Sequence, residues 1–490
     1  MYAPPTAVGP ELGDIEVFAA GDQLHLFHLT LPNHDAVQHV LSDDGLTWRA
    51  LPAAIRTSDP GEGPDDDMIY TMSVTELNGT YYMVYTALGR AEQGRIQRIA
   101  VATSSDLIRW TKEAGNPVAE ADPRWYEAEP PVNGRVSWRD PKPIRVGDTF
   151  YAVLAGREKG GPFLRRGCAA LMASDDLVHW EVRAPLFAPR RYWDLECPQV
   201  FTVDGHYYLS AGIMEDRSQR YWEAPTFEGP YNVPADGGIL APVGHYAGRV
   251  CRWRDLDLFV AWHRPMVAPG VWGDYDWPAW GTRVNSYGKI STPPLVLTRR
   301  PDGSLQHSSF PGWEAYRLAP PTAPEPAPAS LFWERPVAGW DVAVAEGADM
   351  VVSADEYGDF LLEGELTLDA PAGGVGFRLD ERGGGYVIGL ETGRDEVTLQ
   401  KWLPPVTLPT YRYEEFQRGR LHRPLVAGRS VPFRLLSVGA YVEFELDGEV
   451  VVATFTRERA AGLVGVWAEG GHVSIANARL SPMRQPVACR

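Results

Sequence analysis

Three acidic residues stand at comparable places ahead of hairpin signals. Asp14 lies in Leu12-Gly13-Asp14-Ile15-Glu16-Val17-Phe18, Asp140 in Ser137-Trp138-Arg139-Asp140-Pro141-Lys142-Pro143, and Glu196 in Trp193-Asp194-Leu195-Glu196-Cys197-Pro198. Asp14 is seven residues before Gly21, Asp140 seven before Gly147, and Glu196 nine before Gly205. The third stretch is flanked by apolar, strand-like runs, and apolar surroundings favour the protonated form of a carboxyl, the form a general acid needs. Two carboxyl groups of unlike protonation flanking a glycosidic bond are the minimum equipment for glycoside hydrolysis. A third can hold sugar hydroxyls and face an oxocarbenium-like charge.

Short strands must position these groups, because helical periodicity is almost absent. Alternating or aromatic-rich runs such as Gln23–His28, Tyr81–Tyr85, Phe150–Leu154 and His206–Ser210 each follow a turn signal: Gly21-Asp22, Asn78-Gly79, Gly147-Asp148 and Asp204-Gly205. Gly, Asn and Asp supply the left-handed conformations that hairpin turns require. A Ser-x-Asp-x-x-x-Trp motif recurs at Ser42–Trp48, Ser104–Trp110 and Ser174–Trp180, with its tryptophans 62 and 70 residues apart. A repeat of that length, with some four strands each, is the signature of a propeller blade. Its aspartate and tryptophan read as structural, one bonding turn amides and the other packing between sheets. The motif is one residue shorter than the Asp-box of sialidases, and that reading is set aside.

Counting blades this way gives five. The expected fold is therefore all-β: a five-bladed β-propeller over residues 1–319, a Pro-rich linker over 320–330 and a C-terminal β-sandwich over 331–490. Period-two alternation in Gly358–Leu368 and Ala440–Gly448 supports the sandwich. One or two inward-facing groups per blade would converge on the propeller axis, which is why three carboxylates in register point to one site.

Composition narrows the classes. The chain has 490 residues and a net charge of -18, which disfavours nucleic acid and anionic membrane surfaces as partners. No apolar run approaches the ~20 residues needed to span a bilayer. Met1-Tyr2-Ala3-Pro4-Pro5 shows neither a basic nor an apolar leader region, so a cytoplasmic location is expected, or secretion had a leader been removed. Four cysteines without C-x-x-C spacing suit reduced thiols, and no His/Cys pattern suggests a metal or other cofactor.

The succession Gly13-Asp14, Arg139-Asp140-Pro141 and Glu196-Cys197-Pro198 resembles the three catalytic motifs of glycoside hydrolase family 32, which contains invertases, levanases, inulinases and other β-fructofuranosidases. Ala114–Val118, Gly244–Ala247, Ser291–Leu295, Pro301–Leu305 and, in the second domain, Ala440–Gly448 resemble the family as well, so the likeness runs over nearly the whole chain. The resemblance implies a retaining glycosidase with Asp14 as nucleophile, Glu196 as acid/base and Asp140 as transition-state stabiliser. It implies that Arg139 binds substrate hydroxyls, without metal or cofactor. The first motif departs from the family's Trp-Met-Asn-Asp-Pro-Asn-Gly: Gly13 and Glu16 replace the asparagines, and a carboxylate cannot donate the hydrogen bonds of an amide.

Further sugar contacts are expected from Glu16, from Asp66 and Asp67 in the acidic run after Pro64, and from stacking by Tyr246 and by Trp272 and Trp277 in an aromatic loop. Two other readings stay open. One is a family-43-like inverting enzyme on arabinosides or xylosides; the other is a sugar-binding propeller without turnover.

Overall fold

The computed structural model describes residues 2, 11–31, 33–131, 134–263, 290–403, 412–456 and 460–486. Among these, helix is confined to the short 3-10 turns Phe163–Arg165 and Pro311–Tyr316. Five antiparallel sheets succeed one another between residues 11 and 309. Their first strands are Glu11–Ala20, Met68–Leu77, Trp138–Val146, Glu196–Val203 and His245–Trp253. Each packs against the first strand of the next sheet, and Glu11–Ala20 packs against His245–Trp253. The ring is therefore closed, with these strands innermost, and the expected five-bladed propeller is found.

The cores lie between blades. Phe27, Leu29, Ile69 and Met72 fill the space between the first two blades, and Val84, Ile99, Trp138 and Leu154 that between the second and third. Such wedges of buried Val, Leu and aromatic side chains hold the inner strands at fixed spacing, at roughly 25 cal/mol per Å² of apolar surface removed from water. Blade four has only three strands, and bridges from Asn232 and Ile239 cover its outer edge.

The repeated Ser-Asp-Trp turns connect the third and fourth strands of blades one to three. In the first, Asp44 Oδ1 accepts the amides of Leu46 and Thr47 at 2.8 and 2.7 Å. Asp106 and Asp176 repeat the pattern, and Trp110 and Trp180 donate to the carbonyls of Leu107 and Leu177. These residues close turns at the outer rim, away from the axis.

The C-terminal domain is a sandwich built from one continuous ladder. Its last strand, Leu463–Pro482, pairs with Asp341–Val352, Phe360–Asp369 and Ala372–Leu379. Gly470 and Gly471 in this strand have φ of 58° and 135°. A Cβ on Gly471 would sit 2.6 Å from the Asp369 carbonyl oxygen, so only glycine fits where the strand bends.

The proline-rich segment is not a free spacer. Thr322 bridges Leu480 and Pro326 bridges Ser353, which lays the segment along the sandwich. The two domains share a core: Trp253, Phe310 and Trp313 of the first pack with Tyr441, Phe455 and Leu436 of the second. Ser309 N donates to Glu445 at 3.0 Å, and Arg300 pairs with Glu449 at 2.5 Å.

Candidate active site

The inner strands share an irregularity. Pairing registers skip between Leu12 and Ile15, Tyr70 and Met72, Arg139 and Lys142, Glu196 and Gln199, and Tyr246 and Arg249. Every blade thus carries a β-bulge at one height, the device that re-aims side chains beside a site. Asp14, Thr71, Asp140, Cys197 and Ala247 each lie six residues before their strand's last residue, Ala20, Leu77, Val146, Val203 or Trp253. Asp140, Cys197 and Ala247 take positive φ of 61°, 46° and 48°. Such conformations cost about 1–3 kcal/mol each and collect at functional sites.

Asp14, Asp140 and Glu196 line one cavity of about 570 Å³ together with Arg139, Tyr246, Trp193, Asp194, Arg217 and Trp262. A smaller cavity, about 350 Å³, lies between the outer parts of blades four and five and the sandwich. Its acidic groups are each engaged, Asp216, Glu396 and Glu449 by arginines and Asp236 by the Tyr221 hydroxyl at 2.6 Å, so it lacks the converging carboxylates.

The three carboxylates are not in the same register. Glu196 stands one place earlier, level with Arg139 and Tyr246. The hairpin glycine is the first turn residue in blades one and three (Gly21, Gly147) but the second in blade four (Gly205), which conceals the offset. The bulge brings both registers to the axis.

Blades bind one another through these groups. Asp14 accepts Trp262 Nε1–H at 3.1 Å on one oxygen and Thr71 Oγ–H at 2.5 Å on the other. Asp140 is 2 % exposed and accepts the Cys197 amide at 2.9 Å. Burial raises its carboxyl to about 6, with the Asp14 charge adding to the rise and Arg139 opposing it. Glu196 meets Arg139 Nη2 at 2.9 Å, the Tyr246 hydroxyl at 2.6 Å and Arg217 at 3.9 Å. Its setting is polar, not apolar as the flanking sequence suggested, because neighbouring blades supply the donors. Arg139 is buried, which disfavours charge, but Asp194, Asp140 and Glu196 more than offset this and hold it protonated.

Three expected sugar contacts are elsewhere. Glu16 is fully buried beneath the cavity, bound to Lys142 at 2.5 Å, Ser73 at 3.3 Å and Arg249 at 3.5 Å. These four side chains share one height on four inner strands, and Glu16 pins them together instead of touching sugar. Asp66 accepts the amides of Gly61 and Arg90 at 2.8 Å each and stabilises its own loop. Asp67 is half-buried and, like Asp66, is absent from the cavity lining. Arg139 and Tyr246 do line it, while Trp272 and Trp277 lie outside the described residues.

Sequence reasoning missed Thr71, Asp194, Trp262 and Arg157. Counting back from the strand ends finds Thr71, whereas Trp262 is on a second strand and gave no signal. Arg157 donates to the Trp193 carbonyl and stacks 3.8 Å from the Trp193 ring centre.

Two consequences follow for variants. Glu16→Ala leaves Lys142 and Arg249 without their shared carboxylate, an expected loss of about 3–5 kcal/mol in denaturant unfolding. A Cβ on Gly13 would sit 2.7 Å from Leu29 Cβ. Gly13→Asn is therefore expected to destabilise the fold by about 1–3 kcal/mol through overpacking, read from thermal melts, without improving sugar binding.

Among the described residues, oxygens of Asp14 and Asp140 and the Cys197 sulfur lie within 4.8 Å of one another. Burial pushes the Cys197 thiol well up, and a protonated thiol is a poor metal ligand.

Comparison places this geometry among known proteins. Residues 16–231 match the Glycosyl hydrolases family 32 N-terminal domain. The sucrose-6-phosphate hydrolase of Escherichia coli is 26% identical over 220 residues, which are 42% of this chain and 42% of that protein. The matched segment thus spans less than half of the curated relative. The exo-inulinase of Aspergillus awamori superposes with a TM-score of 0.70 at 14% identity, covering 99% of this chain and 98% of that one. For the sucrose-6-phosphate hydrolase of Lactobacillus gasseri the TM-score is 0.68 at 19% identity, with coverage of 97% and 91%. The sequence match over residues 16–231 and the two-domain fold shared with solved family members agree: the propeller part of this chain is similar to the N-terminal domain of glycoside hydrolase family 32.

Proposed function

We propose that the protein is a retaining glycosidase acting on a β-fructofuranoside or a related furanoside. The observation that carries the reading is the convergence of Asp14, Asp140 and Glu196 from three bulged inner strands on one cavity. Asp14 attacks the anomeric carbon, with its oxygens oriented by Trp262 and Thr71. Glu196 gives its proton to the leaving oxygen and then takes one from the water that resolves the glycosyl-enzyme. Asp140 faces the developing positive charge and accepts hydrogen bonds from ring hydroxyls. Arg139 and Tyr246 hold Glu196 and contribute donors to the sugar.

The division into a catalytic propeller (1–319), connector (320–330) and sandwich (331–490) belongs to the same proposal. Among the described residues, the succession of propeller strands up to Ser309 and the sandwich ladder from Asp341 support it. A cytoplasmic location is proposed as well. Cys168 and Cys197, buried and free, suit a reducing compartment, and among the described residues no helix is long and apolar enough to cross a membrane.

The test is hydrolysis of sucrose, 1-kestose and nitrophenyl furanosides, followed by proton NMR of the first sugar released. Retention of the anomeric configuration is expected. An inverted product would favour the family-43-like mechanism, and sugar binding without release from any substrate would overturn the enzyme reading.

A further inference from the structure

A general acid bound to arginine poses an electrostatic problem. A guanidinium 2.9 Å from Glu196 favours the ionised carboxylate, yet the proposed reaction starts with a proton on that group. Arg217, 3.9 Å from the other Glu196 oxygen, works in the same direction.

A fourth carboxylate stands on the opposite side of the same guanidinium. Asp194 Oδ2 lies 2.8 Å from Arg139 Nη1, closer than the 2.9 Å contact that Arg139 makes with Glu196. Asp194 is 2 % exposed, and its other partners are also donors: the Ser137 hydroxyl at 2.8 Å and the Leu195 amide at 3.1 Å. Three donors on a buried carboxylate fit an ionised acceptor. The Ser137 oxygen in turn accepts from Arg139 Nη1 at 2.5 Å, which closes a small ring around the guanidinium. The charge of Arg139 is thereby spent largely on a residue that takes no part in bond cleavage.

We infer that Asp194 is a positioning residue of the acid/base: by neutralising Arg139 it lets Glu196 keep the proton that the reaction consumes. This rests on the reading of Glu196 as acid/base. The groups facing Glu196 are Arg139 and Asp140 from blade three, Arg217 and the Cys197 thiol from blade four, and the Tyr246 hydroxyl from blade five. Among them two are cationic, and Asp194 is the carboxylate that meets Arg139 most closely. Removing its charge leaves the cationic side dominant.

The experiment is the pH profile of kcat/KM for sucrose, or whichever unactivated β-fructofuranoside is cleaved, in the wild type, Asp194→Asn and Asp194→Glu. The alkaline limb reports the proton on the acid. In Asp194→Asn it is expected to move down by about one pH unit, with roughly tenfold lost on the alkaline side. An aryl fructoside, whose leaving group needs little protonation, should lose less than about threefold at the same pH. Asp194→Glu should restore the limb. A purely structural role predicts a uniform loss at every pH on both substrates with the limb in place, and that result overturns the inference. Should Asp194→Asn fail to fold, Asp194→Ala with and without formate serves: formate should move the limb back up, and no movement overturns the inference. If Glu196→Gln retains the wild-type alkaline limb on the unactivated substrate, the acid/base reading itself fails instead.

Discussion

Glu196→Gln is expected to lower kcat/KM on an unactivated β-fructofuranoside by about a thousandfold or more, with a nearly unchanged melting temperature. The size follows from the role, since a positioned proton donor contributes about 10²–10⁴-fold and the same group is needed again as base. The small effect on stability follows from the contacts. A glutamine carbonyl can still accept from the Tyr246 hydroxyl and from Arg139 Nη2, which now donate at 2.6 and 2.9 Å. With an aryl fructoside the first step needs little protonation, so the fructosyl-enzyme forms and then waits for a base. Added azide needs no base and should restore turnover, releasing a β-fructosyl azide of retained configuration. Asp14→Asn provides the contrast: it removes the nucleophile, so a better leaving group does not rescue it, and any azide product forms by direct displacement with inverted configuration. A Glu196→Gln enzyme as active as the wild type on both substrates would refute the acid/base role, and a glycosyl azide of retained configuration from Asp14→Asn would exchange the two assignments.

The carboxylates were legible in the sequence because a propeller repeats: hairpin glycines recur, and counting back from them leads to Asp14, Asp140 and Glu196. The same landmarks hid the finer register, since a turn glycine occupies either of two positions. The bulges were not legible at all. A bulge is a property of two paired strands, and neither strand alone announces an extra residue. That is why Glu16, two residues after Asp14, was expected at the sugar and lies instead in a buried ion-pair layer with Lys142 and Arg249. The polar setting of Glu196 was hidden for a related reason, because its donors come from blades three and five, far away in the chain. The sandwich was easier to read, since alternation over Phe360–Asp369 needs no partner to be recognised. Asp66 shows the opposite limit: an acidic run close to the site in sequence spends its oxygens on its own loop amides.

Acid should unfold this protein well before most of its carboxylates are protonated. Six of the eleven histidines are buried: His25, His28 and His39 in blade one, and His245, His263 and His307 in blade five. Burial pushes His25 and His28 down to about 4 and His39, His245 and His307 to about 3, and it holds His263 well below its ordinary value. All six are neutral in the folded state, whereas the unfolded chain takes up protons near pH 6.5. Below that value the unfolded state binds more protons, so stability falls as pH falls from about 6.5 towards 3–4, and above it these groups contribute no slope. Each costs up to about 1.4 kcal/mol per pH unit, hence about 2 kcal/mol at pH 5. Asp140, raised to about 6, and Glu443, also raised by burial, act with the opposite sign because the folded state holds their protons more tightly, but they are two groups against six. The carboxylate of Asp44, lowered to about 2 by its hydrogen bonds despite burial, loses its contribution only at lower pH. The contacts show why protonation is resisted. His25 Nδ1 and His39 Nε2 are 2.9 Å apart, a distance that needs one donor and one acceptor, and two imidazolium rings would oppose N–H groups. His263 Nε2 meets Thr454 of the sandwich at 3.2 Å, so charging blade five also strains the contact between domains. Calorimetry should show a melting temperature falling by more than about 10 °C between pH 7 and 5, with about half the histidine contribution removed by a triple His25→Gln, His39→Phe, His28→Gln variant that still folds at pH 7. A melting temperature flat over that interval would show that these rings accept protons in the folded state.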